Sequence, residues 1–147
     1  MVPVGKKERE DFLQMAEQHF RSLNPSFIPQ ADWVNSYFET IQNNSNYFLR
    51  WIVADGQRSG FILFGLEKHR FLPRTAGHVY ELYVCPAQRR RGIALQCARQ
   101  VIGELQKMGP SKIELEVMEG NEGAKALWHS LGFQKVSERF VLPQIKA

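Results

Sequence analysis

The N-terminal third of the chain carries apolar side chains at helical spacing. The spacing predicts a helix over 7–22 that ends at Asn24-Pro25, because proline cannot continue a helix. A second helical pattern covers 31–42, and a run of polar residues over 43–46 closes it. The chain therefore begins with two amphipathic helices, the first marked by apolar residues at Phe12, Leu13, Met15, Ala16, Phe20 and Leu23.

The next part of the chain is rich in β-branched and aromatic residues. Segments 47–54 and 59–66 are separated by Asp55-Gly56, a typical hairpin turn, and predict two antiparallel strands. A third strand is predicted over 78–85, where a proline stops it. Val2-Pro3-Val4 at the start of the chain predicts at most a short edge strand.

The C-terminal part alternates between helical and strand patterns. A helix is predicted over 92–107, followed by a strand over 112–118, where charged and apolar residues alternate. A short helix over 121–131 and a last strand over 133–142 complete the pattern. Strands alternating with crossover helices predict an α+β fold, with a sheet between two layers of helices.

Size and composition limit the organisation of the chain. With 147 residues, of which 44% are apolar, it can bury one core but hardly two. No internal repeat, low-complexity tract or linker marks a boundary. We therefore expect residues 1–147 to form a single domain.

Charge and cysteine content narrow the classes of function. A net charge of +4 with 15 acidic residues suits an anionic cofactor as readily as nucleic acid. Cys85 and Cys97 lack the spacing of a metal site or a disulfide framework, so both are expected to be reduced and no metal is expected. No segment has the roughly 18 consecutive apolar residues of a membrane span, and no signal peptide is evident, so the predicted location is cytoplasmic with no membrane association.

The segment from 78 to 107 has the pattern of an anion-binding site. A strand leads into a basic turn, and Gly92 opens a helix. Main-chain N–H groups in the first helical turn lack partners, the helix dipole adds positive charge, and glycine lets a phosphate approach closely. Alone, such a turn could equally be a solvated basic surface.

Two motifs in this region resemble those of the GNAT superfamily of acetyl-CoA-dependent N-acetyltransferases. The first follows a strand that ends Val-x-Pro, and it resembles the acetyl-CoA signature Gln/Arg-x-x-Gly-x-Gly/Ala at Arg89, Gly92 and Ala94. The second, over 121–133, is similar to the closing motif Asn-x-x-Ala-x-x-Leu-Tyr-x-x-x-Gly-Phe. The resemblance implies a mainly antiparallel, mixed sheet with a splayed central strand and flanking helices.

The resemblance also implies how acetyl-CoA is bound. Main-chain amides at the start of the helix would hold the pyrophosphate, and the pantetheine arm would lie along the central strand like an added strand. Asn121 would contact the arm, or simply cap its helix, and Trp128 would pack against the cofactor. The cofactor-binding residues implied are Leu82, Tyr83, Val84, Arg89, Arg90, Arg91, Gly92, Ile93, Ala94 and Leu95, with Asn121 and Trp128.

The predicted reaction is direct attack of a primary amine, on a small molecule or a peptide, at the thioester carbonyl. Glu81 is the favoured general base, because it lies eleven positions before Gly92 on the strand that would meet the thioester. His78 is the second candidate, because an imidazole suits proton transfer at neutral pH. Strand alternation places them on opposite faces, so only one should reach the cleft. The family's usual acid is a tyrosine, and the sequence departs from the pattern with Trp128, whose indole cannot supply a titratable proton.

The amine acceptor would enter beside the first two helices, as it commonly does in the family that the sequence resembles. That position points to Phe27, Trp33 and Tyr37, although aromatic residues at helical spacing also suit a core. This region contains no acidic cluster, so the sequence does not favour a polycationic acceptor. Two other hypotheses remain: a CoA-binding module without catalysis, and a nucleic-acid-binding protein based on the arginine run. A homodimer could form by pairing of the last strand.

Overall fold

The computed structural model describes residues 1–144. Five strands in this part of the chain form one sheet, in the order β1-β2-β3-β4-β5. They are β1 (Val2–Pro3), β2 (Tyr47–Ala54), β3 (Gln57–Lys68), β4 (Thr75–Val84) and β5 (Lys112–Leu115). The helices are α1 (Arg9–Leu23), α2 (Ala31–Gln42), α3 (Ile93–Lys107) and α4 (Glu122–Ser130), with short 3-10 turns at Lys6–Glu8 and Pro86–Gln88.

The sheet is mixed and mainly antiparallel, as predicted. Strands β1 to β4 pair antiparallel, and β5 is parallel to β4 after the α3 crossover. The β4–β5 ladder covers only Ala76–Val79 on β4. From Tyr80 onwards β4 has left β5, and within residues 1–144 Glu81–Val84 pair with β3 alone. This divergence is the splayed central strand that the family resemblance implied.

Helices cover both faces of the sheet and divide the apolar core in two. Under α1 and α2 the core is largely aromatic, and Phe12 and Phe61 there are fully buried. Under α3 the core is largely aliphatic, and Val101 and Leu105 are likewise fully buried. Burial of these apolar side chains is the main force that holds the three layers together. The predicted α+β fold of three layers is confirmed.

A β-bulge interrupts the pairing of β3 with β4 and changes the direction of side chains along β4. Leu63 pairs with Glu81 but Phe64 pairs with Val79, so Tyr80 is an extra residue without a partner in β3. A bulge shifts the alternation of side chains by one position. The prediction that His78 and Glu81 lie on opposite faces was therefore wrong, and both point to the α1–α2 side.

The prediction of a last strand over 133–142 was also wrong. Residues 134–144 carry no helix or strand, and the apolar side chains of Val136, Phe140, Val141 and Leu142 are exposed. The preceding strand is shorter than predicted, because β5 ends at Leu115. Strand propensity reports how well a residue fits a paired, half-buried surface, and no neighbouring strand supplies that surface here.

Candidate active site

The turn between β4 and α3 has a backbone shape suited to an anion. Arg90 and Gly92 have positive φ angles of 64° and 74°, and Gly92 is the N-cap of α3. A residue other than glycine rarely adopts such a φ, so Arg90 is held in this conformation by the turn around it. Alternation of left-handed residues with ordinary ones points successive N–H groups into one concave surface.

Six consecutive main-chain N–H groups, from this turn into the first turn of α3, are free within residues 1–144. Within residues 1–144, the amides of residues 90–95 have no hydrogen-bond acceptor, and the first bonded amide is Gln96, which donates to Gly92 O at 3.0 Å. The Arg89 amide is already used, since it donates to Pro86 O at 3.3 Å. No atom lies within 4 Å of a Cβ built at Gly92, so a ligand can approach the backbone there.

The three arginines of the turn are directed differently. Arg89 Nε donates to the carbonyl oxygen of Val84 at 2.8 Å, and its guanidinium lies 5.7 Å from the centre of the Tyr83 ring. Arg91 contacts the side chains of Gln88 and Asp55. Two of the three guanidinium groups therefore hydrogen-bond within the protein, which favours the free main-chain amides as the primary donors to an anion.

The end of β4 offers an open edge next to this turn. Leu82, Tyr83 and Val84 pair with β3 on one side and have no strand on the other within residues 1–144. Their pairing with β3 is close, since a Cβ at Gly60 would lie 1.8 Å from the carbonyl oxygen of Tyr83. The predicted cofactor-binding residues of β4 and of α3 thus lie on either side of the same turn.

Glu81 has a partner that the sequence analysis missed. Its Oε2 atom contacts Nε2 of His19, which lies in α1 and is only 6% exposed. Burial raises the pKa of Tyr37, and the nearby Glu81 carboxylate raises it further, so Tyr37 stays a neutral phenol beside it. A histidine on the apolar face of α1 was the only sequence signal of this pair.

His78 lies in the lower half of β4, where β5 is still paired. Its ring stacks on Tyr80 with a centroid distance of 4.5 Å, and its Nδ1 atom is 4.0 Å from Glu114 without a hydrogen bond. Glu67, His78 and Glu114 each have one atom of a kind that can bind a metal ion, and these three atoms lie within 4.8 Å of one another. Tyr80 already donates to Glu67 at 2.6 Å, and Lys112 lies 3.1 Å from Glu114.

The two remaining predicted cofactor residues lie at α4. Asn121 is its N-cap, and its Oδ1 accepts a hydrogen bond from the Ala124 amide at 3.2 Å. Trp128 is 6% exposed and packs in the core under α3, with its ring edge-on to Phe133 at 5.4 Å. Both positions have a structural role, which is compatible with a contact to the cofactor.

The three residues predicted to bind the acceptor come together in one aromatic cluster. Trp33 stacks on Tyr37 at 5.3 Å, and Phe27 lies edge-on to Trp33 at 5.5 Å. All three are half-buried. Trp33 and Tyr37 also line a cavity of about 400 Å³ that reaches the β-bulge at Tyr80. The predicted acceptor residues therefore lie beside a cavity, which is on the same side of the sheet as Glu81.

Comparison with known families agrees with this geometry. The family model described as acetyltransferase (GNAT) family matches residues 10–133. Among curated proteins, the N-alpha-acetyltransferase RimI of Mycobacterium tuberculosis is 30% identical over 142 residues, which cover 94% of the chain and 82% of that protein. An uncharacterized N-acetyltransferase of Methanocaldococcus jannaschii is 25% identical over 90% of the chain, and the aligned part is 59% of that relative's length.

Solved structures show the same fold. The crystal structure of a mutant protein from Bacillus halodurans has a TM-score of 0.79 at 21% sequence identity, covering 99% of this chain and all of that one. At this identity the likeness concerns the fold alone. It includes the sheet and the helices that position the turn before α3.

Proposed function

Because the chain belongs to the acetyltransferase (GNAT) family, we propose that it is an N-acetyltransferase that uses acetyl-CoA to acetylate a primary amine. The observation that carries this proposal is the set of six unpartnered amides over 90–95 at the N-terminus of α3. An array of N–H groups at a helix N-terminus, next to an open Gly92, fits the diphosphate of a CoA thioester.

Acetyl-CoA would supply a thioester whose carbonyl carbon is attacked by the amine. The free edge of β4 over 82–84 would hydrogen-bond the pantetheine arm, in the manner of an added strand. An unpaired N–H at this edge would also bind the oxygen on which negative charge develops. Asn121 would contact the arm from the start of α4.

Glu81 would act as the general base. It accepts a proton from the attacking nitrogen as the new C–N bond forms and the C–S bond breaks. The leaving thiolate would take a proton from water, since Trp128 has no titratable proton to give. The proton held by Glu81 then returns to the resulting hydroxide, which restores the water and the carboxylate. The products are an acetamide and the free thiol of CoA.

The acceptor would reach Glu81 from the aromatic cluster of Phe27, Trp33 and Tyr37. A peptide N-terminus is one candidate, because the Mycobacterium tuberculosis relative is named as an N-alpha-acetyltransferase. An apolar or aromatic small amine is the other, because aromatic walls line the adjacent cavity. A primary amine is common to both.

The location of the protein and its further partners stay predictions. None of the helices in residues 1–144 is long and apolar enough to cross a membrane. A cytoplasmic location and the absence of nucleic acid among its partners fit the free cysteines and the two arginines that are turned onto the protein. A homodimer would use the exposed apolar residues after Phe133.

Calorimetry with CoA, acetyl-CoA and S-acetylpantetheine tests the binding step. We expect both CoA compounds to bind and S-acetylpantetheine, which lacks the diphosphate, to bind at least tenfold more weakly. Equal affinities for all three would remove the role of the free amides. No binding of CoA at millimolar concentration would remove the acetyl-CoA assignment.

A panel of free-amine peptides and small aromatic or aliphatic amines then tests the transfer step. With one class of acceptor, we expect the amount of CoA thiol released to rise together with the amount of acetylated product, which is identified by its mass. Binding of CoA without any turnover across the panel would favour a CoA-binding module. Tight, steeply salt-dependent binding of DNA or RNA would favour the nucleic-acid hypothesis.

A further inference from the structure

His19 is a buried polar residue on the apolar side of α1. It lies on the same side of the helix as Phe12 and Ala16, and all three are buried in the core under α1 and α2. In residues 1–144, only His19 and Ser59 are polar and buried. A buried imidazole costs free energy unless it is hydrogen-bonded, so a partner is required.

That partner is the carboxylate of Glu81. His19 Nε2 contacts Oε2 of Glu81, across the space between α1 and the central strand. The Glu81 side chain is 22% exposed, and its second oxygen, Oε1, has no hydrogen-bond partner within residues 1–144. One oxygen is therefore held by α1 while the other stays free at the open end of β4.

The imidazole is fixed in place by aromatic rings. Phe61 lies edge-on to it at 5.6 Å with an interplanar angle of 89°, and Tyr83 lies 5.3 Å away at the end of β4. Phe20 lies against it at 5.3 Å from α1 itself. These rings limit rotation of the His19 side chain, because a packed interior leaves few free rotamers.

The other groups around Glu81 do not compete with His19. Tyr37 from α2 and Tyr83 from β4 are phenols whose pKa is raised, chiefly by burial, so both are neutral near neutral pH. The pKa of the Cys85 thiol is also raised by burial. On β3, Leu63 opposite Glu81 carries no charge. Arg89 lies beyond the Tyr83 ring and donates to Val84.

We infer that His19 is a positioning residue, whose Nε2–H donates to Glu81 Oε2 and holds Oε1 toward the attacking amine. This inference rests on the proposed function, in which Glu81 is the general base. A fixed carboxylate should give a faster reaction than a mobile one, because a displacement of about 1 Å at a reacting group can reduce the rate about 100-fold. Glu81 faces α1 because it pairs with Leu63, which packs in the core under α1 and α2.

The pair can be tested without an acceptor by proton NMR of the full chain. We expect a downfield imidazole N–H signal that disappears in His19→Gln. In Glu81→Gln the same signal should move upfield, because a neutral amide accepts a weaker hydrogen bond than a carboxylate. A signal that does not respond to Glu81→Gln would overturn the inference, whether or not the protein is an acetyltransferase.

Kinetics on the best acceptor of the panel test the consequence for catalysis. We expect His19→Leu to lower kcat about 100-fold with an unchanged KM for acetyl-CoA. His19→Gln should recover most of this loss, because its amide N–H can replace the Nε2 donor. His69→Gln, which removes an exposed histidine from the loop after β3, is the matched control. Equal losses in His19→Leu and His19→Gln, with both variants folded, would show a merely structural role.

Discussion

The side chain of Arg89 is bonded to the carbonyl oxygen of Val84, the last residue of β4, at 2.8 Å. This bond joins the turn before α3, the proposed anion-binding site, to the end of the central strand. The Nε–H of the first arginine in the motif is therefore used within the protein, where it holds the turn against the end of β4. Arg91 is similarly engaged, but with Asp55 on the β2–β3 hairpin.

The two arginines are expected to differ when they are replaced. Arg89→Ala should raise the Kd for CoA about tenfold, because it releases the turn from β4 and removes a charge-assisted hydrogen bond. Arg91→Ala removes an exposed ion pair, for which we expect less than about a threefold change. Calorimetry at one salt concentration compares them. Equal effects would mean that net charge, and not the shape of the turn, controls affinity.

Gly92 allows a direct test of the free amides. Gly92→Ala should cost about 1 kcal/mol of stability, because φ is 74° there, and should weaken CoA binding more than tenfold. Gly109, with φ 76° after α3, is the matched control, since a Cβ there also meets nothing within 4 Å. Gly109→Ala should show the same loss by denaturant unfolding with unchanged CoA affinity. A loss of CoA affinity in both variants would contradict a local effect.

The two candidate bases can be separated by pH–rate profiles. In Glu81→Gln we expect kcat to fall by about 100-fold or more, and the acidic limb of the profile to disappear. His78 lies where β4 is still paired with β5 and contacts Tyr80 and Glu114. His78→Gln should therefore keep the acidic limb. An unaltered limb in Glu81→Gln would remove Glu81 as the base.

Trp128 should be important for stability and dispensable for chemistry. Because it is buried against Phe133 in the core under α3, Trp128→Phe should keep substantial turnover. Trp128→Ala should cost about 3–5 kcal/mol of unfolding free energy, as for other large-to-small core changes. Denaturant unfolding and steady-state rates measure the two effects. A near-complete loss of turnover in well-folded Trp128→Phe would assign the indole a chemical role.

Cys97 should make the protein less stable in mild alkali. Burial raises the pKa of its thiol to about 12, above the pKa that it has in the unfolded chain. Its contribution to stability is thus complete below the unfolded pKa of about 8.5, and it is lost as pH rises from there towards 12. Urea unfolding at pH 8 and pH 10 measures the loss. The loss should be smaller in Cys97→Ala, and an equal loss would contradict the prediction.

Local sequence was sufficient for much of the fold and for the cofactor turn. The Asp55-Gly56 hairpin, the helical spacing of α1 to α3 and Gly92 at the start of α3 each depend on residues close together in the chain. The conformational preferences of glycine and proline and the period of apolar residues act over that short range. The motifs of the proposed acetyl-CoA site are of this local kind.

Tertiary structure alone decided the surroundings of Glu81. The bulge at Tyr80 depends on how β3 and β4 pair, and it puts His78 and Glu81 on the same face, where strand alternation predicted opposite faces. The His19–Glu81 contact joins residues 62 positions apart. The unpaired segment 134–144 depends in the same way on whether a neighbouring strand is present. Periodicity shows which residues share a face of one element, but pairing and packing between elements determine what that face meets.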